Sequence, residues 1–88
     1  MDRTSLIAEI DSRGLRDGTR SGPLYRRLAQ ALAGLVQEGL LKPGAALPSE
    51  RDLAEALQVG RVTVRTAYRD LLNTGTLESR HGSGTFVS

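Results

Sequence analysis

Three arginines, Arg61, Arg65 and Arg69, recur at a spacing of four residues. On an α-helix, residues four apart lie on the same face, so this spacing would place the guanidinium groups in one row. A guanidinium group donates paired hydrogen bonds to a phosphate, or to O6 and N7 of guanine. The row therefore favours nucleic-acid binding, although spaced arginines also form the ordinary solvated face of an amphipathic helix.

The other residue types argue against catalysis and cofactor chemistry. The chain of 88 residues has no Cys and one His, which excludes a disulfide framework and a thiolate or multi-histidine metal site. Glu50, Asp52 and Glu55 lack a companion element that would form a pocket around an acid–base pair. We therefore expect no enzymatic activity, and no metal, cofactor or small-molecule site in this chain.

The overall charge and hydropathy bound the possible partners. The formal net charge of +2 is too small to indicate nucleic-acid binding by itself, so the placement of the charges must carry that argument. The longest apolar run is far shorter than the roughly 18 residues of a membrane span, and residues 1–3 are not followed by an apolar signal segment. These features predict a cytoplasmic protein without a membrane partner.

The sequence pattern changes near residue 22. Residues 1–22 are rich in polar turn formers, above all over 17–22, which indicates an N-terminal leader or linker. Within that leader, apolar residues at helical spacing predict a short helix from about Thr4 to Ser12. Residues 23–88 carry the periodic patterns of a packed domain.

The first helix of this domain is predicted from Pro23 to about Glu38. Proline loses no hydrogen bond at the first helical position, and Gly39 provides a left-handed residue that ends the helix. A short extended segment over 45–47 follows. The apolar residues that we expect in the core of the domain are Leu24, Leu28, Ala31, Leu32, Leu35, Val36, Leu53, Ala54, Leu57, Val64, Ala67, Tyr68, Leu71, Leu72 and Phe86.

Two further helices lie close together in the sequence. The second opens after Pro48, where the hydroxyl of Ser49 can accept a hydrogen bond from the first turn of a helix. The third spans about Arg61 to Asn73. Only residues 58–60 separate the two, which is the turn length of a helix-turn-helix.

A β-hairpin is predicted at the end of the chain. Residues 76–79 and 85–87 contain strand-forming residues on either side of a glycine-rich loop. The expected fold class is therefore mainly α with a small β wing: a winged helix-turn-helix with a three-helix core and an antiparallel hairpin.

Three sequence motifs in this order resemble one known family. They are Leu47-Pro48-Ser49-Glu50-Arg51-Asp52-Leu53-Ala54, Val59-Gly60-Arg61-Val62-Thr63-Val64-Arg65 and Arg80-His81-Gly82-Ser83-Gly84-Thr85-Phe86-Val87. Over residues 23–87 the chain resembles the GntR family of bacterial transcription regulators. Residues 67–68 and 78–80 further resemble the MocR-type branch, which would imply a pyridoxal phosphate-binding domain beyond this chain.

The resemblance implies sequence-specific binding of double-stranded DNA. Helix 61–73 would read the major groove and the wing, residues 80–85, would enter the minor groove. The residues to which it assigns DNA contacts are Ser49, Arg51, Arg61, Val62, Thr63, Arg65, His81 and Gly82. The chain departs from the family at Gly60, where a Ser or Thr that caps the helix is usual, so we expect the phosphate contact of that residue to be absent.

The resemblance also implies a homodimer for the full-length regulator, with weak or no dimerisation of this domain alone. Two alternatives stay open. Arg51 can instead pair with Glu55 on the helix surface, a contact of small energetic value. The whole domain can also be a winged-helix interaction or oligomerisation module, but such surfaces favour apolar or aromatic anchors over an arc such as Arg61, Thr63 and Arg65.

Overall fold

A computed structural model describes residues 1–15 and 22–88 of the chain. Within them it contains four helices, α1 (Arg3–Ser12), α2 (Leu24–Gln37), α3 (Glu50–Leu57) and α4 (Arg61–Asn73). They are followed by an antiparallel pair of strands, β1 (Leu77–Arg80) and β2 (Gly84–Val87). Most of the predicted turn-forming stretch 17–22 lies outside the described residues.

Helix α1 packs into the same core as the helices that follow it. The carboxylate of Asp2 caps its start by accepting a hydrogen bond from the amide of Ser5 at 2.7 Å. Leu6 and Ile10 are buried, together with Leu15 after the helix ends. These apolar side chains belong to the same buried cluster as the α2 residues, so the helix predicted over Thr4 to Ser12 lies against the domain.

An ion pair also joins the end of α1 to α2. The guanidinium group of Arg13 donates to both carboxylate oxygens of Glu38, at 2.7 and 2.8 Å. Gly34 makes room for it, because a Cβ at that position would lie 3.2 Å from Nη1 of Arg13. Each partner stabilises the charge of the other, which raises the pKa of Arg13 and lowers that of Glu38.

Helix α2 begins one residue later than predicted. Pro23 has an extended backbone (φ −68°, ψ 157°) and serves as the N-cap rather than the first helical residue. At the other end, Gly39 adopts the expected left-handed conformation with φ +81°. Leu24 and Val36 are only partly buried, whereas the middle of the predicted apolar stripe is fully in the core.

Helices α3 and α4 form the predicted helix-turn-helix. The hydroxyl of Ser49 accepts a hydrogen bond from the amide of Asp52 at 3.1 Å, which caps α3. Gln58 adopts a left-handed conformation (φ +57°) as the C-cap that ends α3 before the turn. The prediction that Leu72 points inward is wrong. This side chain is 36% exposed, since it lies about 100° around the helix from the buried Leu71.

The hairpin is extended by a third, very short segment. In the pairing of β1 with β2, Leu77 lies opposite Val87 and Arg80 opposite Gly84. The predicted extended segment 45–47 pairs with the other edge of β2 through a bridge between Ala46 and Phe86. These pairings attach the wing to the helical core and complete a winged helix-turn-helix.

Phe86 does not pack inside as predicted. It is only partly buried, and the guanidinium carbon of Arg80 lies 4.2 Å from the centre of its ring. Successive side chains of a β-strand point to opposite faces. Because Val87 is buried, its neighbour Phe86 points towards the other face.

We expect Ile10→Ala to lower the free energy of unfolding by about 2–5 kcal/mol, because it removes a fully buried side chain and leaves a cavity. Ile7→Ala is the matched control, since Ile7 is only partly buried on the same helix. Urea denaturation measures both. Equal, small effects would contradict the packing of α1 into the core.

Candidate nucleic-acid interface

The starts of α3 and α4 lie side by side and form a polar surface. Ser49, Glu50, Arg51 and Arg61 line one shallow depression there. Arg51 and Arg61 are exposed, and neither takes part in an ion pair among the residues that the structure describes. The hypothetical surface pair between Arg51 and Glu55 is therefore not formed.

The outward face of α4 carries the predicted row of arginines. Arg61, Arg65 and Arg69 are exposed, and Val62 beside them is 68% exposed. Thr63 does not lie on the open face as predicted but is half-buried at its flank. Two helical steps rotate Thr63 about 200° from Arg61, towards the edge of the core face.

Arg65 makes a contact that the sequence analysis missed. Its Nε donates a hydrogen bond to Oε1 of Glu50 at 3.2 Å, which joins α4 to the start of α3. The two side chains are 48% and 36% exposed, so the pair is open to solvent. The two residues are 15 positions apart, so the i,i+3 and i,i+4 spacings of a single helix do not predict the contact. The packing of α4 against α3 brings them together.

A second groove separates α4 from the wing. Its lining consists of Glu50, Arg65, Tyr68, Arg69, Leu72 and Thr85. Thr85 belongs to β2, so the groove places the strand next to the last turns of α4. Arg69 was recognised as part of the arginine row but not as a site residue, and its place in this groove makes it a further candidate.

A buried hydrogen bond sets the position of α3 relative to α4. The hydroxyl of Tyr68 donates to the backbone oxygen of Pro48 at 2.7 Å, and the Tyr68 side chain is buried. Burial raises the pKa of the Tyr68 phenol above its ordinary range, and the nearby charge of Glu50 adds to the shift. The phenol therefore stays protonated in the folded chain and keeps the O–H group that donates to Pro48.

The wing tip forms a separate exposed element. His81 and Gly82 are both exposed, and Gly82 has φ +73°, a conformation that favours glycine. The turn is closed by a hydrogen bond from the amide of Ser83 to the oxygen of Arg80 at 2.9 Å. At the base of the tip, Arg80 also donates to the carboxylate of Glu78 at 3.0 Å.

Gly60 caps α4 without a side-chain hydrogen bond. Its backbone is extended (φ −71°, ψ 149°), and a Cβ there would lie 3.9 Å from the hydroxyl of Thr63, an ordinary contact. A serine would therefore fit. The start of α4 therefore has room for a capping hydroxyl, but Gly60 does not supply one.

Two other features are absent from the described residues. They contain no group of three or more His, Asp or Glu side chains placed to hold a metal ion. In the same part of the chain, no helix has both the length and the apolar character needed to cross a membrane.

We expect the stability of the chain to fall as the pH rises above about 10, the ordinary pKa of tyrosine. The raised pKa of Tyr68 in the folded state means that only the unfolded state loses this proton there, so alkali favours unfolding. Urea denaturation between about pH 8 and about pH 11, a range that brackets the ordinary tyrosine pKa, measures this loss of stability.

Tyr68→Phe is the control for this pH dependence. It removes the titrating group, so we expect a flatter alkaline profile. At neutral pH it should also cost about 1–2 kcal/mol, because the buried oxygen of Pro48 loses its donor. Unchanged alkaline curvature in this variant would show that another group causes the loss.

The sequence and the architecture are similar to those of known bacterial regulatory proteins. The model of a family described as bacterial regulatory proteins, gntR family, matches residues 24–87. The mannosyl-D-glycerate transport/metabolism system repressor MngR of Escherichia coli (strain K12) is 49% identical over 65 residues, which cover 74% of this chain and 27% of that protein. The HTH-type transcriptional repressor YtrA of Bacillus subtilis (strain 168) is 38% identical over 82% of this chain and 55% of its own length. The chain thus spans only part of these relatives.

Solved structures show the same fold. YtrA from Sulfolobus acidocaldarius, a GntR-family transcription factor, superimposes with a TM-score of 0.76 at 35% identity, over 82% of this chain and 76% of that one. The structure of AraR(DBD) in complex with operator ORE1 gives a TM-score of 0.72 at 31% identity, over 81% of this chain and 87% of that one.

Proposed function

We propose that this chain, which belongs to the gntR family of bacterial regulatory proteins, binds double-stranded DNA sequence-specifically as the DNA-binding domain of a transcriptional regulator. The observation that carries the proposal is the polar surface where α3 and α4 begin, on which Arg51 and Arg61 are exposed and form no ion pair within the described residues. The complex of AraR(DBD) with operator DNA supports this use of the fold.

In this proposal, α4 lies in the major groove. Arg61 and Arg65 stand one turn apart, and each can donate two hydrogen bonds to a guanine edge. Val62, exposed beside them, offers an apolar contact to a thymine methyl group. Thr63, at the flank of the face, is placed for a phosphate or for an adjacent thymine.

The start of α3 provides the contacts with the DNA backbone. Helix N-termini attract phosphate because their first amide groups point outward and carry partial positive charge. Ser49 and Arg51 lie at that start, and Arg51 adds a guanidinium group to the same site. Such contacts fix the register of the protein on DNA without reading the sequence.

The wing is proposed to enter the minor groove. Gly82 carries no side chain, so the backbone of the tip can approach the groove closely. His81 lies beside it and can offer a hydrogen-bonding ring to a narrow, electronegative groove. Arg69 and Thr85, on either side of the groove between α4 and the wing, would face the DNA strand that runs between the two elements.

The full-length regulator is proposed to be a homodimer that recognises two half-sites. A two-fold protein axis imposes two-fold symmetry on the operator. Without a partner domain, this chain would lose avidity of about 10²–10⁴-fold. Residues 23–88 form the DNA-binding domain in this proposal, and residues 1–22 precede it.

Membership of the MocR-type branch stays a prediction. It would be supported by an aminotransferase-like domain and bound pyridoxal phosphate in the full-length regulator, which absorbance spectroscopy would reveal. Binding of the cofactor is not expected for residues 1–88.

We expect Arg65→Ala to relax base preference at one operator position, with a loss of about 1–3 kcal/mol of discrimination. Arg51→Ala should instead weaken all sequences alike and lower the slope of log affinity against log salt by about 0.9, the value for one phosphate contact. Binding to a duplex selected from random sequence and to its scrambled version, at two salt concentrations, separates the two effects.

Arg26→Ala is the control for these measurements, since Arg26 is an exposed arginine on α2 and is not among the residues assigned a DNA contact. Equal losses on selected and scrambled DNA for Arg65→Ala would contradict its role in base reading. If the wild-type chain itself prefers no sequence, the interaction-module alternative takes over.

A shortened wing tests the minor-groove contact. Replacing residues 81–83 by Asn-Gly, a pair suited to a tight hairpin turn, should reduce affinity while the helix content measured by circular dichroism stays unchanged. Unchanged affinity would show that the wing tip does not contact DNA.

A further inference from the structure

Glu50 is an acidic residue in the middle of a surface that is otherwise suited to phosphate. It lies in the depression with Arg51 and Arg61 and also in the groove with Arg65 and Arg69. A carboxylate at this place repels DNA phosphates, so it lowers general affinity. A surface built only for charge attraction would not contain it.

The Glu50 carboxylate contacts Arg65 in a way that leaves part of the guanidinium group free to bind DNA. It accepts a hydrogen bond from Nε alone, and the Arg65 side chain makes no other hydrogen bond within the described parts of the chain. The terminal nitrogens Nη1 and Nη2 are therefore available. A guanidinium group held through Nε still presents two coplanar donors, which is the pattern that O6 and N7 of guanine accept.

The geometry of the pair is fixed from inside the protein. Tyr68, one turn after Arg65, donates its buried hydrogen bond to Pro48, two residues before Glu50. Because this contact is buried, movement of the start of α3 along α4 would leave the Pro48 oxygen without its donor. The backbone of Glu50 is thus restrained relative to the turn of α4 that carries Arg65.

We propose that Glu50 is a specificity-determining residue that orients Arg65 for base reading and penalises contact with DNA that lacks the matching base. This inference rests on the proposed function of α4. In free solution an unrestrained arginine side chain must be ordered when it binds, and the pair with Glu50 reduces that cost in advance. On matched DNA, Arg65 keeps its base contact, whereas on unmatched DNA the repulsion from the Glu50 carboxylate is not offset.

Two substitutions separate orientation from charge. Glu50→Gln keeps an oxygen that can accept from Nε but removes the charge, so affinity for scrambled DNA should rise roughly twofold at low salt, as expected for one screened like-charge repulsion. The preferred base opposite Arg65 should be retained. Glu50→Ala removes the acceptor as well, so preference at that base should fall roughly fivefold, comparable to the cost of ordering one long side chain.

Glu55→Ala is the matched control. Glu55 is an exposed acid on the same helix, and its removal changes the net charge by the same amount without touching Arg65. The measurement is competitive binding of the full 88-residue chain to the selected duplex and to duplexes altered at each position in turn. Thermal unfolding of each variant accompanies it, and NMR of the Arg65 Nε–Hε group reports on the pair in the free chain.

The outcomes are distinguishable. If the wild-type chain discriminates and Glu50→Ala loses preference at the position that Arg65→Ala also affects, with an unchanged melting temperature, the inference holds. If Glu50→Ala behaves like Glu55→Ala at every position, the inference is overturned while the proposed function stands. If the wild-type chain shows no base preference, the proposed function fails and takes the inference with it.

Discussion

The hydrogen bond from the Tyr68 hydroxyl to the Pro48 backbone oxygen is the constraint on which the candidate interface depends. It is buried and short, so water cannot replace either partner without opening the core. By joining the middle of α4 to the residue before the α3 cap, it fixes both the separation and the relative register of the two helices. The exposed groups that we place on α3 and α4 are positioned through that register.

The small size of the chain explains why α1 matters to this arrangement. A domain of 88 residues buries a limited share of its surface, and three helices with a hairpin leave apolar side chains that need cover. Leu6, Ile10 and Leu15 provide it, while the Arg13 pair with Glu38 anchors the end of the helix to α2. The interface at the starts of α3 and α4 therefore rests on a core that includes residues well before the family motifs.

Local rules predicted the parts of the fold that depend on neighbouring residues. The Ser49 cap, the stop at Gly39 and the bounds of α4 all follow from short-range chemistry, and the structure contains each of them. The outward direction of Leu72 and Phe86 was missed, because hydrophobicity alone does not say which apolar residues the core has room for.

The contact between Glu50 and Arg65 could not be predicted in this way, since it links two helices across a left-handed turn and depends on their angle. Arg69 was visible in the sequence as one of the spaced arginines, but its position beside Thr85 depends on where the hairpin folds back. Motif resemblance assigned DNA contacts to residues of α3, α4 and the wing. It did not identify the acidic partner that stands among them.

The pairing of β2 on both sides has a consequence for self-association. The bridge from Ala46 and the ladder with β1 occupy the two edges of β2, so β2 has no free edge and the outer edge of β1 has no strand partner within the described residues. That strand has four residues, and two of them, Glu78 and Arg80, are charged and exposed. Short, charged edge strands resist the edge-to-edge pairing that leads to aggregation. The hairpin can therefore project into solvent while the outer edge of β1 stays a poor template for a second molecule.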